Sequence, residues 1–191
     1  MPFTFTPCPL PGLFEIQPTV FADSRGYFFE NYSQRDYAAA GIAVPFVQDN
    51  QSRSVKGVLR GLHFQKDHPQ GKLVRAVFGE VFDVAVDIRP ASPGYGKWHA
   101  VMLSGEKQNQ FYIPPGFAHG FLVVSESAVF AYKCTDFYHP EDEGGIVWND
   151  PDIAITWPDI GMDYMLSGKD KKLPAFASLA SAGTGGRRSQ P

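Results

Sequence analysis

Ten short segments rich in Val, Phe, Tyr and Ile follow one another along this chain, at 13–21, 27–32, 46–54, 58–64, 73–78, 81–88, 97–103, 110–113, 120–124 and 128–137. Clusters of Gly, Pro, Asn and Asp set them apart. Strands of that length and spacing predict an all-β sandwich or barrel built on non-local pairing. The run Val81-Phe82-Asp83-Val84-Ala85-Val86-Asp87-Ile88 is almost wholly apolar rather than alternating, so this strand is expected at the centre, covered on both faces. One stretch departs from the pattern. Ser33-Gln34-Arg35-Asp36 opens an alanine-rich run ending at Gly41, which supplies an N-cap, an acidic first turn and a C-terminal glycine for a short helix. Residues 1–177 read as a single domain. The Ser, Ala, Gly and Arg tract at 178–191 has too little apolar surface to order itself and reads as a flexible tail.

Charge and composition exclude several classes of partner. A formal charge of -3 offers no basic excess to neutralise nucleic-acid phosphates or an anionic membrane surface. No stretch approaches the roughly 20 apolar residues of a membrane span, and the start Met-Pro-Phe-Thr-Phe-Thr-Pro lacks the basic and apolar regions of a secretory signal. No nucleic acid, no membrane and a cytoplasmic location are therefore expected. Cys8 and Cys134 are too few and too far apart for a zinc set, and read as packing residues.

Two runs carry the chemistry. In Gly57-Val58-Leu59-Arg60-Gly61-Leu62-His63-Phe64-Gln65, period-two geometry sends Leu59, Gly61, His63 and Gln65 to one face of a strand and Arg60, Leu62 and Phe64 to the other. In Ile113-Pro114-Pro115-Gly116-Phe117-Ala118-His119-Gly120-Phe121, a rigid turn places His119 at the start of a strand. A lone strand histidine is ordinarily a hydrogen-bonded structural residue, but two could share one barrel interior. Their spacing resembles the two short motifs of the cupin superfamily. That resemblance implies a double-stranded β-helix, or jelly roll, with short peripheral helices. Many cupins bind metal through two histidines one residue apart, a glutamate shortly after and the later histidine. Here Gln65 stands at the second histidine's place and Lys72 near the glutamate's. An ammonium cannot ligate a cation and an amide is a poor transition-metal ligand, so no metal is expected.

Proton abstraction beside a carbonyl needs a base, a positive charge at the developing enolate oxygen, and an acid on the opposite face. His63, Lys72 and Tyr132 are side chains of those three kinds. Further motifs accompany them in order: Asp23-Ser24-Arg25-Gly26-Tyr27-Phe28-Phe29-Glu30, Gln48-Asp49-Asn50-Gln51-Ser52, Gln70-Gly71-Lys72-Leu73-Val74-Arg75 and Ile146-Val147-Trp148-Asn149-Asp150-Pro151. Together they closely resemble the dTDP-4-dehydrorhamnose 3,5-epimerase family between residues 14 and 174.

The resemblance implies that His63 removes the C5 and C3 protons beside a C4 ketone, that Asp170 orients it, that Lys72 holds the enolate oxygen and that Tyr132 donates the returning proton. It implies substrate binding by Arg25, Phe28, Glu30, Gln48, Asn50, Arg60, His119, Glu143 and Lys169, with Tyr138 stacking on the thymine. It implies dTDP-4-dehydro-6-deoxy-D-glucose as substrate and a homodimer in which N-terminal residues such as Arg25 complete the partner's site. Each residue also has an ordinary alternative. Arg25, Arg60 and Lys169 could be surface ion pairs, Phe28 core, and Gln48 and Asn50 turn or ladder residues. Glu143 could be a solvated charge of its acidic loop and Asp170 a plain surface carboxylate. Three other functions stay open on the sequence: an epimerase acting at C3 or C5 alone, a metal-dependent cupin oxygenase, and a noncatalytic sugar-nucleotide binding module.

Overall fold

A computed structural model describes residues 2–182 of the chain. In chain order the strands are β1 Phe3–Pro7, β2 Phe14–Pro18, β3 Phe21–Asp23, β4 Gly26–Phe28, β5 Gln48–Val55, β6 Leu59–Gln65, β7 Lys72–Phe78, β8 Glu80–Asp87, β9 Trp98–Ser104, β10 Gln110–Ile113, β11 Phe117–Val123, β12 Ser127–Cys134 and β13 Glu143–Gly145. Six form one antiparallel sheet in the order β1-β2-β10-β7-β12-β5, five form a second in the order β13-β6-β11-β8-β9, and β3 and β4 make a separate hairpin. The two large sheets stack as the jelly roll that the sequence motifs implied.

Alternation of side chains builds three apolar layers. Val74, Ala76, Phe111, Ile113, Ala128 and Phe130 of the six-stranded sheet meet Val81, Ala85, Val101, Leu103, Phe117, Phe121 and Val123 of the five-stranded sheet. Phe121 and Phe130 stack across the gap with ring centroids 4.3 Å apart. Burying a ring of this size contributes about 1.5–3 kcal/mol. Outside the six-stranded sheet, Tyr37 and Ile42 cover Phe3, Ile16, Leu73 and Tyr112. Outside the other, Ile146, Ile153, Trp157 and Phe176 cover Leu62, Phe64, Val84, Val86 and Ala118. Strand β8 is thus buried on both faces, as its apolar run required.

The helix α1 spans Gln34–Ala39 with Ser33 at its N-cap position, but the Ser33 hydroxyl makes no capping bond. Its backbone carbonyl accepts from the Tyr37 N–H instead. Gly41, at φ +93°, ends the helix in the left-handed region, where glycine carries no steric penalty. A second helix, α2 at Ala177–Ala182, lies in the stretch expected to be tail, and Leu179 packs on the outer layer. Positions 183–191 of that stretch lie outside the described residues. Strand β1, whose alternating Phe3-Thr4-Phe5-Thr6 lies between Pro2 and Pro7, was not among the expected strands. It sits at the sheet edge, where a missing N–H is tolerated.

One irregularity shapes the site. Strand β11 pairs with β6 as His119↔His63 and then Phe121↔Arg60, so Gly61 and Leu62 together oppose the single Gly120. This bulge shifts the alternation by one. Arg60 therefore lies on the same inward face as His63, not on the opposite face that a regular strand predicts, and its guanidinium donates to Ser54 Oγ of the facing sheet at 3.0 Å. Gly61 has φ +117°, and a Cβ there would sit 2.6 Å from Gly120 Cα and 2.7 Å from the His119 carbonyl oxygen. Backbone cannot yield as a side-chain tip can. G61A is expected to cost about 3 kcal/mol and to lower the melting midpoint by roughly 6–12 °C, measured by circular dichroism.

Candidate active site

Two facing walls make the cleft in which half of the expected site residues meet. On the six-stranded sheet, cross-strand positions share a face, so Lys72, Cys134 and Gln48 form one row and Val74, Tyr132 and Asn50 the next. The opposite wall is β6, which presents His63 and Gln65, with Glu143 of β13 beside it. The enclosed volume is about 220 Å³, lined by Gln48, Asn50, His63, Lys72, Tyr132, Tyr138 and Glu143 among others. These seven expected site residues converge from five separate parts of the chain.

His63 Nε2 lies 2.6 Å from Asp170 Oδ1. Asp170 is 3% exposed, so it is not a surface carboxylate. It reaches His63 because the preceding segment pairs along the start of β6: Leu59 N–H donates to the Met165 carbonyl and Met165 N–H to the Gly57 carbonyl. The Asp170 N–H then donates to Ser167 Oγ at 3.0 Å. A carboxylate on one ring nitrogen fixes the tautomer and leaves the other nitrogen as proton acceptor. Burial pushes the imidazole below its ordinary 6.5, with Asp170 and Glu143 opposing that shift and Lys72 adding to it. Neutral His63 is thus the prevailing form near neutral pH.

Burial also lowers the Lys72 ammonium below its ordinary 10.5, against the opposing influence of Cys134, Asp83 and Glu143. Tyr132 is held above 10.0, mainly by burial, so its phenol keeps its proton. Glu143 is no free solvated charge. Its Oε2 accepts from Tyr138 Oη at 2.7 Å and from the Lys169 ammonium. Burial raises the Glu143 carboxyl, but these two bonds and the nearby His63 outweigh it, leaving it below the ordinary 4.5. Arg60, Lys169 and Asp170 line an adjoining groove with His63, which therefore faces both spaces.

His119 stands directly across the strand pair from His63, with Nε2 3.0 and 2.9 Å from the two carboxylate oxygens of Asp83. Asp83 is fully buried and was not anticipated as part of the site. The signal was a carboxylate in the middle of the apolar run of β8, flanked by Phe82 and Val84. Cys134 is buried as expected, yet it also lines the cleft.

Arg25, Phe28 and Glu30 are not brought to this cleft. Arg25 and Phe28 lie on the β3–β4 hairpin, where Arg25 pairs with Asp23 at 2.5 Å and Phe28 is 71% exposed, so Phe28 is no core residue. Glu30 follows it and is exposed. The physical reason is that the hairpin pairs only with itself. Among the described residues, no group of three or more His, Cys, Asp or Glu side chains is placed to hold a metal ion. None of the helices described is long and apolar enough to cross a membrane.

The family model for dTDP-4-dehydrorhamnose 3,5-epimerase matches residues 7–178. A dTDP-4-dehydrorhamnose 3,5-epimerase from Pseudomonas aeruginosa is 56% identical over 169 residues, covering 88% of this chain and 93% of that protein. One from Methanothermobacter thermautotrophicus is 52% identical over 170 residues, covering 88% and 92%. The crystal structure of a dTDP-6-deoxy-D-glucose-3,5-epimerase from Legionella pneumophila, in complex with dTDP-4-keto-L-rhamnose, is similar with a TM-score of 0.89 and 50% identity, covering 93% of this chain and 96% of that one.

Proposed function

The chain belongs to the dTDP-4-dehydrorhamnose 3,5-epimerase family, and from that membership we propose how its own residues convert dTDP-4-dehydro-6-deoxy-D-glucose to dTDP-4-dehydro-L-rhamnose without a cofactor. His63 takes the proton from the carbon beside the C4 ketone. The C–H electrons pass into an enolate whose oxygen is met by the Lys72 ammonium, and Asp170 supports the imidazolium that forms. Tyr132, on the opposite wall, returns a proton to the other face of the ring and inverts the centre. The imidazolium then releases its proton to solvent and the Tyr132 phenolate takes one up, and with both groups reset the same cycle at the second carbon completes the double epimerisation. The observation that carries this reading is that His63, backed by the buried Asp170, faces Lys72 and Tyr132 across one cleft.

Arg60 and Lys169 suit the diphosphate, because guanidinium and ammonium donors match phosphate oxygens. The Tyr138 ring, 49% exposed at the rim, is placed to stack on the thymine. The protruding β3–β4 hairpin, with Phe21 and Tyr27 each 60% exposed beside Arg25, fits a homodimer in which it completes the neighbouring subunit's cleft. Two free cysteines accord with a cytoplasmic, reducing location.

Incubation of enzyme and 4-keto sugar nucleotide in D₂O tests the assignment. NMR is expected to show deuterium at both C3 and C5. Label at one carbon alone overturns the double epimerisation in favour of a single-centre epimerase.

A further inference from the structure

Gln65 occupies a position that the proposed proton transfers do not use, yet its amide is fully engaged. It is 6% exposed and lies two residues beyond His63 on the same strand. Its Nε2 donates to the His68 carbonyl at 2.7 Å and to the Phe137 carbonyl at 3.1 Å, and its Oε1 accepts from the His139 N–H at 2.8 Å. The last two bonds grip the chain on both sides of Tyr138. The first ties that grip to the loop after β6. Around it, the His68 and His139 rings stack at 4.2 Å, and Asp142 accepts from the Asp67 and His68 N–H groups.

Tyr138 itself has few fixed points: its N–H donates to Gln48 Oε1 at 3.0 Å and its hydroxyl to Glu143. Both of those partners are among the proposed substrate-binding residues, so a ligand could recruit them. Gln65, by contrast, is buried and bonded only to backbone among these contacts. We infer that Gln65 is a positioning residue for Tyr138, holding the ring at the rim of the cleft and so setting affinity for the nucleotide portion of the substrate rather than the rate of proton transfer. This rests on the reading that Tyr138 stacks on the thymine.

A side chain that removes all three bonds leaves two carbonyls and one N–H without their partners, so the loop must rearrange to satisfy them. Preorganisation of an aromatic anchor is lost, while His63, Asp170, Lys72 and Tyr132 keep their own supports. The effect should fall on binding.

The test compares Q65L, Q65E, Y138A and Q65L/Y138A by steady-state kinetics and by calorimetric titration with dTDP alone. For Q65L the expected result is a five- to tenfold rise in KM and in the dTDP Kd, with kcat within threefold of the parent. The double variant is expected to bind no more weakly than Y138A, because the two residues act through one contact. Should Q65L fail to fold, Q65E decides. It keeps the acceptor for His139 but sets an oxygen against two carbonyls, and it is expected to weaken dTDP binding to the same degree. Y138A weakened with the Gln65 variants unchanged overturns the inference alone. Y138A unchanged overturns the stacking reading and the inference with it. A loss confined to kcat overturns the positioning role.

Discussion

H63N is expected to lower turnover by roughly 10²- to 10⁴-fold, the usual worth of a general base, and to abolish solvent exchange at C3 and C5 together. The joint loss is the informative part. One imidazole faces the cleft from β6, so a single base must serve both carbons, and an enzyme with two bases would keep exchange at one of them. Asparagine preserves approximate size and a donor toward Asp170, so a collapse of the wall would not account for the loss. D170N acts on the same group by another route. Asp170 raises the basicity of His63, and without it burial pulls the imidazole further below 6.5. The acid limb of kcat/KM, which rises as His63 loses its proton, therefore moves to lower pH while the maximum rate falls. Rate against pH over the range 4 to 8 measures both.

K72M is expected to cost about 10²- to 10³-fold in kcat, the scale of one lost donor at a developing oxyanion. Methionine retains an unbranched apolar chain but carries no charge. Because the ammonium is the active form and burial lowers it, the parent enzyme should lose activity as pH rises through a value below 10.5. K72M should lack that limb, leaving Tyr132, held above 10.0, as the next group to ionise. A kcat within tenfold of the parent would sink the assignment of Lys72 to the enolate oxygen. An unshifted alkaline limb would assign that limb to another group.

The sequence by itself determined the β architecture and the kinds of chemistry open to the site. Short apolar segments between turn residues dictate stacked sheets, because strands bury themselves only by pairing across the chain and covering one another's faces. His63 and Lys72 stand in the motifs quoted above, the family resemblance joins Tyr132 to them in the proposed roles, and Gln65 and Lys72 stand where a cupin's usual ligands would. These are local properties, readable one segment at a time.

Tertiary structure decided what lies beside what. Asp170, which the family resemblance but no periodicity linked to His63, bonds it across 107 positions, from a 3-10 turn at Asp170–Lys172 near the end of the chain to a strand near its middle. Asp83 beneath His119 was hidden in an apolar run, since alternation gives a side chain's face but not the residue opposite it. Arg60 shares the face of His63 only because the bulge at Gly61 inserts one residue, a change that period-two reasoning cannot foresee when the extra residue is decided by pairing with Gly120. Arg25, Phe28 and Glu30 stand clear of the cleft because their hairpin pairs with itself, a partner choice made by whole strands rather than by those three side chains.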